Sequence, residues 1–484
     1  MTCIDLIDVL TVKQVAKCLI QYIAFIDLVH IYDALPVDRR HEFRQLILEP
    51  LLQYFHAITL KPVHAQFINK LSVPINVCKV DSSINKNDML KLLQNASHLS
   101  ELNMSLCSMG TGDLLLVIET LSNCSSIKEL TLSDCKYLSQ ADLIVLGDRL
   151  KLRSITLISS TSAISEESKV LSKLINQDDI IELIIRCPHL LALHLDGWDS
   201  IISDRFIYIL KGYCPDIVRL SLDNCGPWND KLILSIVKLF PNIEQLKFDA
   251  DVENNAAALL LNSCRVLRSL SLKCSAECHE VFDESCSTRI SNLEAASFSG
   301  VTRALLNKIT KASVNLHTLE LYEVDCTVTD IALESLVRSC SLLTKIAIST
   351  TAQFTIKLSD AVISILHNHK LLKHVELGCI AKISAVLMQE LIASGPKYDL
   401  MHLSGALSVS IKPLVELIIA AGHSFCDIQL TFDTYNQRVF AAVQAVSVRV
   451  ASDGLILVVE KSGNGFMVSC YKEAQYQSIV TVTK

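Results

Sequence analysis

Short apolar patterns recur along most of the chain. Each has the spacing LxxLxLxx, in which the second and third apolar residues alternate with polar ones as in a half-buried β-strand. Leu190, Leu193 and Leu195 form one of the clearest copies. Thirteen copies begin at residues 99, 127, 152, 190, 217, 243, 267, 293, 316, 343, 372, 398 and 425. The pattern therefore predicts a series of short strands about 26 residues apart, with one longer interval before residue 190.

Between these strands the apolar positions follow the period of a helix. Leu333, Leu336, Val337 and Cys340 fall at i, i+3, i+4 and i+7, which places them on one helix face. The segment that begins at Ile233 repeats this spacing. Residues that commonly cap helices precede four such segments: Ser203, Asn229, Thr329 and Ser359. Each repeat is therefore predicted to hold one strand and one returning helix.

A strand and a helix within about 26 residues are typical of a leucine-rich repeat, whose period is about 20 to 29 residues. One such unit cannot bury its apolar face alone, so neighbouring units stack into a solenoid. We therefore predict an α/β leucine-rich-repeat horseshoe with a parallel concave sheet and outer helices.

The repeats divide the chain into four predicted regions. Residues 1–54 carry no repeat and have the pattern of short helices, whereas residues 55–98 hold two weaker first repeats. Residues 99–440 hold the clear repeats. Residues 441–484 alternate as strands around a glycine-rich turn, which predicts a small antiparallel β cap over the open end of the solenoid.

Composition narrows the class of protein. The chain has 484 residues, of which 50% are hydrophobic and only 20% charged, with a formal net charge of -7. This balance excludes an intrinsically disordered chain and a protein that coats nucleic acid. No long uncharged run and no secretory signal layout occur. We therefore expect a cytoplasmic or nuclear protein that contacts neither a membrane nor nucleic acid.

The 18 cysteines are predicted to be free thiols, because a reducing compartment does not maintain disulfides. One cluster, formed by Cys274, Cys278, His279 and Cys286, offers soft metal ligands, but its spacing fits no common structural zinc pattern. We expect no metal there. The sequence motifs of phosphate-binding loops, zinc proteases and serine hydrolases are missing. The prediction is a protein that is not an enzyme and carries no cofactor.

The amino-terminal segment has a pattern of its own. Between Leu19 and Leu28, the aromatic-aliphatic pair Phe25 and Ile26 is followed directly by an Asp-Leu pair. This stretch resembles the middle of an F-box. The residues from Val328 to Cys340 resemble the cysteine-containing leucine-rich repeats of F-box proteins. The chain is therefore similar to the F-box and leucine-rich-repeat family.

This resemblance implies a substrate-recognition subunit of an SCF-type E3 ubiquitin ligase. The F-box-like head would bind a Skp-type adaptor of the cullin ligase core, and the repeats would bind a protein substrate. The adaptor-binding residues that it implies are Leu19, Tyr22, Ile23, Phe25, Asp27, Leu28 and Ile31. Two alternatives stay open: the same apolar residues can form a helical cap over the first repeat, and the chain can be a repeat scaffold with no ubiquitin link.

The polar positions of the strand motifs are predicted to face solvent on the concave side. Asp196, Asp223 and Asp249 follow the third apolar residue of three successive strands, which predicts a ladder of carboxylates roughly 5 Å apart. Arg219 and Lys247 on the same strands can relieve the repulsion internally. Otherwise a ligand with a basic segment would do so.

Two further residues complete the predicted substrate site. His194 lies between the second and third apolar residues, so it faces the concave side, and Trp228 lies in a turn at the rim of the sheet. Trp198 is expected in the core. The predicted substrate-binding residues are His194, Asp196, Arg219, Asp223, Trp228, Lys247 and Asp249. The alternative site lies on the later strands that carry Glu320, Lys345, His374, Glu376 and His402.

Overall fold

The computed structural model shows two compact units, Met1–Pro227 (unit 1) and Trp228–Lys484 (unit 2). The structure describes residues 40, 59–60, 64–65, 68–69, 75–80, 84–94, 96, 98–105, 113–122, 126–134, 138–159, 175–198, 201–226, 228–252, 260, 263–274, 292–301, 306, 315–324, 330–350, 369–378, 389, 400–405, 416, 427–432, 455–462 and 465–472.

Unit 1 contains a ladder of parallel strands in which each strand pairs with the next along the chain. The register places the repeated apolar residues side by side, so that Leu193 lies between Ile155 and Leu220. The strands are β1 (Thr59–Leu60), β2 (Val77–Val80), β3 (Glu101–Ser105), β4 (Glu129–Ser133), β5 (Ser154–Ile158), β6 (Ala192–Asp196) and β7 (Arg219–Asp223). Consecutive parallel strands require a crossover, which the helices of the repeats supply.

Unit 2 also contains a ladder of parallel strands, and its last two strands are antiparallel. Its first eight strands pair in parallel in chain order, and the last two form an antiparallel hairpin that pairs with the eighth. The strands are β8 (Gln245–Val252), β9 (Ser269–Cys274), β10 (Ala295–Ser299), β11 (Thr318–Val324), β12 (Lys345–Thr350), β13 (His374–Gly378), β14 (Leu400–Gly405), β15 (Asp427–Phe432), β16 (Leu455–Ser462) and β17 (Gly465–Lys472). The predicted antiparallel β cap is therefore confirmed.

The helices begin where the capping residues predict. Ser203 accepts a hydrogen bond from the backbone N–H of Phe206, and Asn229 accepts one from Leu232. In the part of the chain that the structure describes, the helices are α1 (Lys86–Gln94), α2 (Asp113–Leu121), α3 (Gln140–Arg149), α4 (Gln177–Arg186), α5 (Asp204–Tyr213), α6 (Asp230–Leu239) and α7 (Asp330–Ser339). None of the described helices is long and apolar enough to cross a membrane.

Alternate strand residues form the core. Leu193 and Leu195 of β6 are 1% and 0% exposed, whereas His194 between them is half-buried. Complete burial of one leucine side chain contributes about 1.5–3 kcal/mol, so each repeat gains stability from the apolar residues of its neighbours. Together the repeat spacing, the parallel register and this alternation establish an α/β leucine-rich-repeat fold.

A left-handed backbone residue follows several strands and turns the chain out of the ladder. Gly197 and Gly300 have φ of 76° and 72°, and their N–H groups donate to carbonyl oxygens at or near the end of the next strand, at Asp223 and Tyr322. Among the described residues, three that are not glycine take the same conformation: Asp134 after β4, Asn224 after β7 and Glu323 within β11. Glycine, asparagine and aspartate tolerate this region better than other residues, which explains the residues that follow β4, β6, β7 and β10.

Cysteines close several helices and point into the core. Cys187 and Cys214 are the residues at which α4 and α5 end, and both are buried. The Cys214 thiol donates to the carbonyl oxygen of Cys187 at 3.2 Å, which ties one repeat to the preceding one. Six cysteines within the described ranges are free thiols: Cys78, Cys187, Cys214, Cys225, Cys264 and Cys340.

Two predictions fall on other parts of the chain. The F-box-like segment lies outside the described residues except for Arg40, so the adaptor-binding set stays a prediction. The cysteine cluster that begins at Cys274 also lies outside them beyond that first residue.

Candidate binding faces on the strands

In unit 1 the strand face around β6 and β7 brings together four of the predicted site residues. His194 is the register neighbour of Ser221, and Asp196 is the neighbour of Asp223. The two aspartates therefore lie side by side, as the repeat spacing predicts. Arg219, at the start of β7, is exposed.

The sequence predicts a solvent-facing carboxylate at Asp223, but this residue is only 5% exposed, so the prediction is wrong for its side chain. Its Oδ2 accepts a hydrogen bond from the Ser221 hydroxyl at 3.1 Å and lies 3.7 Å from His194 Nε2. A buried carboxylate must be compensated by donors or by positive charge, and here His194 and Ser221 provide part of that compensation. His194 is not among the residues that the sequence suggests for this role, which are Arg219 and Lys247.

Asp196 is half-buried and has a different partner. The side-chain amide of Asn224, the left-handed residue after β7, donates to Asp196 Oδ1 at 3.0 Å. Such a link between the last residue of one strand and the left-handed residue of the next occurs three times in the described chain, in the pairs Ser105–Asp134, Asp196–Asn224 and Ser299–Glu323. Sequence reasoning missed these partners, although a polar residue directly after a strand is a signal for them.

Unit 2 holds the other three predicted residues. The Trp228 ring is half-buried and stacks on the buried Phe248 ring, with 5.0 Å between the ring centroids. Its indole N–H is buried and has no hydrogen-bond acceptor among the described residues. Trp228 therefore packs on a core side chain, whereas the sequence suggests an exposed rim anchor. Trp198 is buried, as predicted, and its indole N–H donates to the Leu157 carbonyl at 3.0 Å.

Lys247 is exposed on β8, and the register of this strand with β9 is irregular. Phe248 pairs with Leu272, and the next pair joins Asp251 to Lys273, so the register shifts between Phe248 and Asp251. This irregularity gives Asp251 the place that regular spacing assigns to Asp249. The position of Asp249 beside Asp223 stays a prediction.

The alternative residues meet on the strand face of β11 to β13 within unit 2. Lys345 Nζ lies 2.8 Å from Glu320 Oε1 and 3.4 Å from Glu376 Oε1. Hydrogen bonding to Glu320, opposed in part by desolvation, raises the pKa of Lys345, so this lysine stays protonated. His374 is the register neighbour of Lys345, and His402 is the neighbour of Glu376.

Neither face shows a constellation for chemistry. In the described ranges, no three side chains of His, Cys, Asp or Glu gather as a metal ion would require. The thiols of Cys187, Cys214 and Cys340 have pKa values raised to about 12, chiefly by burial, so they are poor nucleophiles at neutral pH. The arrangement suits recognition by charge and hydrogen bonding.

Neither a protein-family model nor a curated protein matches the sequence. Among solved structures, the chain is similar to the complex of Rad7 and Elc1 in yeast, with 16% identity, a TM-score of 0.48 and coverage of 81% of this chain and 88% of that one. It is also similar to the leucine-rich repeat-containing protein LegL7 from Legionella pneumophila, with 14% identity, a TM-score of 0.36 and coverage of 58% and 96%.

A third similar structure is the leucine-rich-repeat protein LIC12759 from Leptospira interrogans, with 12% identity, a TM-score of 0.29 and coverage of 79% of this chain and 98% of that one. Similarities at this level carry no argument about function. The assignment of the fold rests on the repeats and ladders of the chain itself.

Proposed function

We propose that this chain binds protein partners through the strand faces of its repeats and performs no chemistry itself. The observation that carries the proposal is the contrast between the two sides of each strand. Inward residues such as Leu193 are apolar and buried, whereas outward residues such as Asp196 and Glu376 are polar and half-exposed. Repeat folds present such surfaces to other proteins.

The outward side chains are also held in place before a partner arrives. Asn224 fixes Asp196, and Lys345 fixes Glu320, through contacts of 3.0 Å and 2.8 Å across neighbouring strands. Side chains that are already ordered lose less conformational entropy on binding. A rigid row of polar groups therefore favours selective recognition of a protein surface.

The finer proposal is that the chain recruits a protein substrate to an SCF-type E3 ubiquitin ligase. It is supported by the resemblance of residues 1–54 to an F-box and of the repeats to those of F-box proteins. In this role, Leu19, Tyr22, Phe25 and Leu28 contact a Skp-type adaptor. The repeats then hold the substrate for a ubiquitin-transfer step that other subunits perform.

Co-expression of the full-length chain with a Skp-type adaptor tests the ligase role. The wild-type chain should co-elute with the adaptor in size-exclusion chromatography, and Leu28→Asp should abolish co-elution because it places a charge in an apolar interface. Leu371→Asp is the matched control, since Leu371 of unit 2 is 51% exposed and accepts the same change. The control should co-elute like the wild type.

The second candidate function is a repeat scaffold without a ubiquitin link, because the polar strand faces of the repeats can bind a protein without the amino-terminal segment. If the wild-type chain and the adaptor fail to co-elute at micromolar concentrations, the ligase role is wrong and the scaffold remains. Loss of co-elution in both leucine variants would contradict the specific role of the amino-terminal segment.

A further inference from the structure

The strand face of β11, β12 and β13 has an unbalanced charge. Lys345 is the cation that contacts the two carboxylates, Glu320 on β11 and Glu376 on β13. One lysine cannot neutralise two ionised carboxylates, so this group of three has a net negative charge. His374 and His402 are the register neighbours of Lys345 and Glu376.

The two carboxylates are not equivalent. Glu320 receives the shorter contact from Lys345, at 2.8 Å. Glu376 has the longer contact, at 3.4 Å, and its side chain is 32% exposed. A carboxylate can accept about four hydrogen bonds, so Glu376 retains acceptor capacity that faces solvent.

The aromatic side chain of Tyr322 lies close enough to both carboxylates to interact with their charges. Tyr322 is half-buried on β11, while the last outward positions of β12 and β13 are Ser349 and Gly378, which lie next to each other in the register. Burial, followed by the charges of Glu320 and Glu376, raises the pKa of the Tyr322 hydroxyl, so the ring is a neutral phenol. The register between β11 and β12 shifts between Leu321 and Val324, so Tyr322 lies at an irregular place in the ladder.

We propose that this face binds an arginine or lysine side chain of a protein partner, with the cationic group on Glu376 and the aliphatic stem along Tyr322. The proposal rests on the proposed function, since it assumes that the ligand is a protein. Aromatic rings attract cations and pack against the stems of basic side chains, and carboxylates pair with their charged ends. An acidic peptide or a nucleic acid would be repelled by the net negative charge of Glu320, Lys345 and Glu376.

The effect of removing Lys345 on binding distinguishes this proposal from a purely structural role of the cluster. It competes with the incoming cation for Glu376, so its removal should strengthen binding of a basic ligand. A residue that only held the face together would have the opposite effect. Exposed ion pairs contribute up to about 1 kcal/mol, so the expected changes are roughly two- to fivefold.

The test screens the immobilised full-length chain with a positional-scanning library of short peptides whose central residue is Arg, Lys, Glu or Leu. The measured quantity is the ratio of bound Arg- or Lys-centred peptides to Glu-centred peptides. The wild type should prefer the basic peptides. Glu376→Gln should reduce the ratio about two- to fivefold, and Lys345→Met should raise it by a similar factor. Glu129→Gln, the same change on β4 of unit 1, should leave it unchanged.

The proposal is overturned if the wild type prefers Glu- or Leu-centred peptides or shows no preference. It is equally overturned if the basic preference survives Glu376→Gln or falls in Lys345→Met while circular dichroism shows an intact fold. Co-elution with the adaptor should be the same for all these variants. Failure of that co-elution in the wild type would count against the ligase role and not against this site.

Discussion

Buried thiols are the clearest example of how single residues depend on their environment in this fold. Cys264 has a pKa raised to about 11 and Cys214 one raised to about 12, in both cases mainly because burial disfavours the thiolate. The unfolded chain releases these protons near the ordinary value of 9.0. The folded state therefore holds protons at alkaline pH that the unfolded state has already lost.

The first prediction follows from this difference. The stability that each buried thiol contributes is fully present below about pH 8.5 and is lost as pH rises towards the folded pKa, by at most about 1.4 kcal/mol per thiol for each pH unit. Urea unfolding midpoints should therefore fall between pH 8.5 and 10.5. The fall should be shallower for Cys214→Ala, which removes one such group. Parallel curves for the two proteins would contradict the assignment of Cys214 as a buried thiol.

At the scale of elements, close contact between neighbouring helices depends on a glycine. A Cβ atom at Gly147 in α3 would lie 2.6 Å from the Cβ of Arg186 in α4. Arg186 is held in turn by Asp148 at 2.7 Å and by Glu182 at 2.6 Å. Because Cβ atoms are fixed to the backbone, the clash can be removed only by moving one helix.

The second prediction compares two glycines. Gly147→Ala should destabilise the protein by about 1–3 kcal/mol, the usual cost of overpacking, despite the higher helix propensity of alanine. Gly212→Ala in α5 is the matched control, because nothing lies within 4 Å of its added Cβ. That variant should be neutral or stabilised by up to about 1 kcal/mol. Chemical denaturation followed by circular dichroism measures both, and equal midpoints would show that α3 and α4 are not in tight contact.

The elements themselves are predictable because they depend on local patterns. The LxxLxLxx spacing sets strand positions such as that of β6, and Ser203 and Asn229 set helix starts within one turn of chain. Contacts across strands are different. The pair Asp196–Asn224 joins residues 28 positions apart, and the burial of Asp223 depends on which side chain the neighbouring strand places over it.

The register irregularity in β8 shows a further limit of the repeat pattern. Regular spacing pairs Asp249 with Lys273 of β9, but the structure places Asp251 opposite Lys273. A register shift of this kind depends on how two neighbouring strands pair, so the sequence of one repeat alone does not predict it. The charged group around Lys345 was recognisable as a set of polar positions, although its distances were not.

At the scale of the whole molecule, the two units share a fold but differ in the chemistry of their strand faces. In unit 1, the carboxylate of Asp223 contacts His194 and Ser221, so it is compensated within the fold and is not available to a partner. Asp196 is the half-buried carboxylate of that face. In unit 2, Glu376 is the more accessible acceptor of its cluster. Charge-reversal variants should therefore be made at exposed or half-buried carboxylates. Asp223→Lys would instead bury a positive charge beside the groups that compensate the native carboxylate.

The third prediction concerns partner capture by the face of unit 1. Asp196→Lys should reduce the recovery of partners in quantitative affinity capture from cells, and the reduction should shrink as salt screens the charge. Thermal stability should change by no more than about 0.5 kcal/mol, because Asp196 loses only its contact with the exposed Asn224. Asp148→Lys is the matched control: it makes the same change in α3, where Asp148 pairs with Arg186 on the helical side of the repeats. Equal losses in both variants would indicate a general effect of net charge, and full recovery in Asp196→Lys would assign partner binding to the face that carries Glu376.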